Sequence, residues 1–208
     1  RQDKNVEVEK KLDILKSVNL EGNYKEAGDK NTYVESLYDK YITDSYVINS
    51  VGTKREDVKA FDVNLKQELA KPIEDRNLPI FVCTHDNGQE NYIIPVLGKG
   101  LWGPIWGYVA LEKDYNTIYG AVFAHKSETP GLGAEIDTKW FQAQFIGKKL
   151  FDDKQNFTSI KIVKGGADPN STNSVDAISG GTITSVALEN TIKECLSSYE
   201  KYFKSKSN

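Results

Sequence analysis

IWGYVALEKDYNTIYGAVFA, residues 105–124, decides the fold. Ile105, Gly107, Val109 and Leu111 recur at every second position, the period of a strand. Ile118, Gly120, Val122 and Ala124 repeat that pattern beyond a turn near 114–116, which predicts an antiparallel hairpin. Working back along the chain, apolar runs at 78–84 and 92–97 and the β-formers of 41–48, interrupted by Asp44 and Ser45, add further strands. Pro95 predicts an edge or a bulge, because proline has no amide to give to a ladder.

The flanks are helical. Val8, Leu12, Leu15 and Val18 follow helical spacing, Val6 and Ile14 widen the stripe, and Gly22 is the expected stop. A short helix is predicted over 138–145, a strand over 160–163, and a loop over 165–174, rich in Gly, Asn and Ser. A last helix is predicted over 185–203, with Val186, Ile192, Cys195, Leu196, Tyr199 and Phe203 on its apolar face, and residues 205–208 are expected to fray. No repeat and no linker interrupts this order, so the predicted class is α+β: one compact unit with antiparallel sheet, an N-terminal helix and a C-terminal helix.

Composition excludes several functions. A chain with 38% hydrophobic and 27% charged residues has the balance of a globular protein, not a disordered one. A net charge of -3 without a long basic run gives no concentrated positive face, so nucleic acid is not expected as a partner. The two cysteines, Cys83 and Cys195, lie far apart, as do the two histidines, His85 and His125, without the closely spaced Cys or His pairs of a metal site, so no metal is expected. A disulfide between the two cysteines stays open. No stretch is apolar over the roughly 18 residues of a membrane span. The absence of methionine at position 1 and throughout suggests a piece of a longer protein.

The chemistry concentrates in Asp176-Ala177-Ile178-Ser179-Gly180-Gly181-Thr182-Ile183-Thr184-Ser185, between a polar loop and the last helix. Adjacent glycines permit a tight turn, and free amides at a helix start favour a phosphate. The same spacing also suits an ordinary glycine turn with Thr or Ser caps. It is not a P-loop, since no lysine follows the final glycine. No Gly-x-Ser-x-Gly elbow, no dinucleotide fingerprint and no nucleophile–base pair is present, so no catalytic residue is assigned.

This segment resembles the flavinylation motif Asp-x-x-Ser/Thr-Gly-Ala-Thr of bacterial FMN-binding subunits. Asp176, Ser179 and Gly180 match, Gly181 stands where the motif has alanine, and Thr182 falls at the acceptor position. His125-Lys126-Ser127-Glu128-Thr129-Pro130-Gly131-Leu132-Gly133-Ala134 is similar to the family's isoalloxazine loop. The resemblance implies ring-edge hydrogen bonds from Glu128 and Thr129 and packing of Leu132 on the ring face. Gly98-Lys99-Gly100-Leu101-Trp102-Gly103-Pro104 resembles a third family segment, with Trp102 as a second aromatic contact. Phe145-Ile146-Gly147-Lys148 resembles a fourth, with Lys148 near the phosphate. Ser179, Thr182, Thr184 and Ser185 add hydroxyls to the phosphate-favouring helix start, which brings Thr184 into the cofactor-binding set. On the residues alone Trp102 also suits a core and Glu128 a solvated loop.

Together the segments resemble the C subunits of sodium-translocating NADH:quinone oxidoreductases; the alternatives are an Rnf-type G subunit or a stand-alone flavinylated carrier, which share the chemistry, and a non-redox module whose Gly-rich helix start holds a phosphate ligand. The resemblance implies a one-electron carrier without a catalytic site of its own, its FMN joined through phosphate to Thr182. It implies a flavin transferase during maturation and the other subunits of a membrane redox complex as partners. Residues 1–24 would form a helix leading from a membrane anchor absent from this chain, and 25–208 an FMN-binding domain on the periplasmic side of a bacterial inner membrane.

Overall fold

A computed structural model describes residues 2–207; Arg1, which opens the charged N-terminal stretch, and Asn208, at the end of the tail expected to fray, lie outside the described residues. Five strands form one antiparallel sheet in chain order: β1 (Ile42–Ile48), β2 (Leu78–Thr84), β3 (Glu90–Lys99), β4 (Pro104–Leu111) and β5 (Ile118–His125). The predicted hairpin is β4–β5, with Gly107 opposite Phe123 and Val109 opposite Ala121. Two short parallel strands, β6 (Lys161–Val163) and β7 (Ser174–Asp176), form a separate ladder.

Helices cover both faces. α1 (Gln2–Lys16) and α2 (Lys30–Tyr41) lie on one, where Val8, Leu12, Leu15 and Val34 pack with Val47, Phe81, Cys83, Ile93 and Tyr108. The other face packs Ile80, Ile94, Val96, Val109 and Phe123 against α5 (Thr182–Ser197) and α6 (Glu200–Lys206) through Leu188, Ile192, Leu196 and Phe203. Two short helices complete the chain, α3 (Leu65–Leu69) and α4 (Lys139–Ala143).

Several expectations shift. α1 is ended by Asn19, not Gly22: Asn19 has φ 58° and Leu20 N–H reaches back to the Leu15 carbonyl at 3.0 Å, a Schellman-type stop. Val6 stays exposed. The single last helix is two, beginning at Thr182 and breaking at Ser198–Tyr199. Val186 faces solvent rather than the apolar side. The expected loop over 165–174 ends in β7. Cys83 and Cys195 are both buried and unpaired, in core clusters on opposite faces of the sheet, which rules out their disulfide.

Pro95 sits inside the sheet, not at its edge. Its cost is met by a second proline. The β2–β3 ladder runs from Thr84–Glu90 only to Phe81–Ile93, and continuing that register would set Pro79 opposite Pro95. Neither has an amide, so the ladder lapses there. The acceptors left over are served from the helices: Tyr199 Oη donates to the Pro79 carbonyl at 2.8 Å and Cys195 Sγ to the Leu97 carbonyl at 3.5 Å.

At the free edge of the sheet, a groove of about 810 Å³ runs between the end of α1, the outer edge of β5 and α4, with Asp13 on its wall. Burial lifts the Asp13 carboxyl to about 6, partly offset by Lys16 and reinforced by Glu9. A raised folded value means that the unfolded chain ionises first, so stability falls as pH rises from the ordinary aspartate value of 3.8 through about 6. Asp13→Asn should therefore raise Tm at about pH 7.5 and leave it unchanged near about pH 3.5, which thermal denaturation at both values checks.

Candidate functional site

The three glycine-bearing segments are distant in sequence but meet at one end of the sheet. The β3–β4 turn brings residues 99–104 to that end, and β5 delivers the loop after His125 beside it. α5 starts there. Its N-cap is Gly181, with no side-chain cap. The amides of Thr182, Ile183 and Thr184 have no acceptor among the described residues, the orphan donors of a helix start. Thr182 is half-buried, and its hydroxyl has no partner among the described residues.

Ser185 locks the turn that precedes it. Its hydroxyl donates to the Gly181 carbonyl at 2.9 Å and accepts from Ile178 N–H at 3.1 Å, while Gly181 N–H closes on the Ile178 carbonyl. Gly180 has φ 75°, and a Cβ there would lie 2.7 Å from the Leu132 Cδ2. Gly133 in turn lies so close to Thr184 that any side chain would overlap the Thr184 hydroxyl. The Gly180–Gly181 turn and the Leu132–Gly133 loop therefore interlock, and both positions require glycine.

Glu128 is the junction, and its carboxylate is turned inward onto three donors of the chain. It is 3% exposed. Its Oε1 accepts from Thr184 Oγ1 at 2.5 Å and from Leu101 N–H at 2.9 Å, and its Oε2 accepts from Trp102 N–H at 2.8 Å. Burial pushes its carboxyl up, but the Thr184 hydroxyl, the Trp102 and Leu101 amides and His125 outweigh it and hold the group below the usual carboxylate value. The depressed folded value gives stability above the unfolded value, lost as pH falls through the folded one. Glu128→Gln should thus remove part of the stability loss of the parent chain below the ordinary glutamate value of 4.5, a flattening visible in Tm against pH.

The other expected residues divide. Trp102 is 65% exposed and Leu132 42%, so neither is a core side chain, and Leu101 and Ile183 are exposed beside them. Thr129 is exposed, and its carbonyl accepts from Leu132 and Ala134 N–H. Ser179 is exposed. Asp176 lies outside the turn: its carboxylate accepts from Ala167 N–H at 2.6 Å and its backbone is clasped by the Gln144 amide. Lys148 donates to the Ser171 carbonyl at 2.7 Å, which ties it to the β6–β7 loop. Sequence reasoning offered the Ser185 hydroxyl to a phosphate, whereas it is spent inside the turn, and it missed Gln144 as a support. Nothing local marks Gln144. Among the described residues no cluster of His, Cys, Asp or Glu could hold a metal ion. Nor is any described helix long and apolar enough to cross a membrane.

Residues 100–197 match the family model of the FMN-binding domain. The C subunit of the Na(+)-translocating NADH-quinone reductase of Vibrio parahaemolyticus is 31% identical over 204 residues, 92% of this chain and 78% of that protein. The chain belongs to this C-subunit family. The relative from Vibrio anguillarum is 38% identical over 138 residues, 66% of this chain. The chain spans 54% of that protein and 65% of the Vibrio vulnificus one, less than two thirds of either. Among solved structures, the C subunit of Parabacteroides distasonis superposes with a TM-score of 0.84 at 37% identity, covering 97% of this chain and 94% of that one. NqrC of Shewanella oneidensis gives a TM-score of 0.77 at 27% identity, with coverage of 96% and 98%. The mixed helix and antiparallel sheet architecture is thus that of C subunits, and the FMN-binding match covers both glycine loops and α5.

Proposed function

We propose that this chain is the electron-carrying C subunit of a sodium-pumping NADH-quinone reductase, with FMN joined by phosphoester to Thr182. The observation that carries the reading is the Thr182 hydroxyl: half-exposed, unpartnered among the described residues, and set at the uncapped start of a 16-residue helix with three free amides. A phosphate on that oxygen would receive those amides and the positive end of the helix dipole. The exposed faces of Trp102 and Leu132 suit a flat aromatic ring, and Thr129 offers polar groups beside them.

The flavin supplies one-electron exchange between redox centres, and the protein supplies attachment and orientation. Covalent linkage keeps the carrier loaded in an open compartment. A flavin transferase and the other subunits of the complex are its partners in this reading. The family is also the support for a membrane anchor leading into residues 1–24, with residues 25–208 as the FMN-binding domain on the periplasmic side. Co-expression with a flavin transferase tests the chemistry. The expected product is yellow, with an intact mass raised by one FMN less one water; a colourless chain of unmodified mass refutes it.

A further inference from the structure

We propose that Glu128 is a positioning residue that fixes the ring-stacking loop to the attachment helix. The inference rests on the reading that Thr182 carries FMN. Two successive amides, Leu101 and Trp102, point into one carboxylate. That pins the backbone of the turn so that both side chains project outward, 43% and 65% exposed. The same carboxylate takes the hydroxyl of Thr184, two residues beyond the attachment point. His125 Nδ1 accepts the Glu128 backbone N–H at 3.1 Å and so ties the loop that carries Glu128 to the end of β5.

Ordinary folding forces would do the reverse. They would bury a tryptophan and solvate a glutamate. Here the acid is inside and the indole outside, a local inversion of the kind that functional sites show. A tethered ring still has many orientations about its ribityl chain. A preset Trp102 removes most of them before binding, so less freedom is lost when the ring is seated. The Gly100 amide bonded to the Gly103 carbonyl at 2.8 Å closes the turn on itself but fixes nothing relative to α5. Glu128 supplies that link.

Glu128→Gln is the test, since it keeps the shape but places an NH2 among donors. In the chain without FMN, NMR amide exchange should become about tenfold faster at Leu101 and Trp102, the loss of a charge-assisted bond. Exchange along the β3–β4 ladder should be unchanged. In the flavinylated chain, intact mass should show FMN retained, while flavin fluorescence anisotropy falls. Thr184→Val, which cuts the link to the helix and spares the two amides, should lower anisotropy with the amides still protected; it also serves if Glu128→Gln does not fold. Unchanged exchange at Leu101 and Trp102, or anisotropy equal to the parent in both variants, overturns the proposal. A parent chain that never gains FMN mass defeats the underlying reading instead, and the exchange result then still decides whether Glu128 holds the loop.

Discussion

Thr182→Val emerges from co-expression with a flavin transferase without flavin, its intact mass that of the bare chain. Valine keeps the β-branched shape at the first position of α5 and removes only the nucleophilic oxygen. The loss should be essentially complete, because the neighbouring hydroxyls are committed. Thr184 is 2% exposed and donates to Glu128, and Ser185 is fully buried between the Gly181 carbonyl and the Ile178 amide. Ser179 is exposed but lies within the turn that precedes α5 rather than on the helix that carries the three free amides. Thr184→Val should therefore still carry FMN, which separates loss of the acceptor from general damage to the loop. Stability should barely move in Thr182→Val, since no hydrogen bond within the described residues is lost.

Tyr199→Ala should destabilise the fold by about 3–5 kcal/mol, and Tyr199→Phe by about 1–3 kcal/mol. The ring is fully buried and stacks on Phe203 with centroids 5.4 Å apart. Its hydroxyl is the donor that serves the Pro79 carbonyl in the gap between β2 and β3. Phenylalanine keeps the packing and orphans that carbonyl in a dry core, so the difference between the variants separates hydroxyl from ring. Urea denaturation with a common m-value checks both. Equal stability of Tyr199→Phe and the parent would mean that the proline gap relaxes without help.

The sheet was legible because its signal is local. Residues 105–124 carry both strands of the β4–β5 hairpin and its turn, and the alternation survives in the structure with a single irregularity between Ala110 and Leu111. α2 was not legible: of its 12 residues only Val34 and Tyr41 are buried, so no apolar stripe announces it. The signal that exists is its cap, with Asp29 accepting from the Thr32 amide at 3.2 Å. Pro95 misled because its partner, Pro79, is 16 positions away in sequence, and only the sheet register sets one against the other. The site was half-legible. Motif spacing marked the turn before α5, and glycines marked where backbones approach. Glu128 reads as a loop acid in sequence, because nothing local shows that the β3–β4 turn will direct two amides at it. The same holds for Lys148, whose Ser171 partner depends on how the β6–β7 loop folds back.

The most direct test of the account is the location of the modification. Chain matured beside a flavin transferase is digested and the peptides are fragmented in a mass spectrometer. The account predicts the increment of one FMN less one water on Thr182 alone. An increment on any other residue, or an unmodified peptide spanning residues 176–185 in fully matured protein, would contradict it.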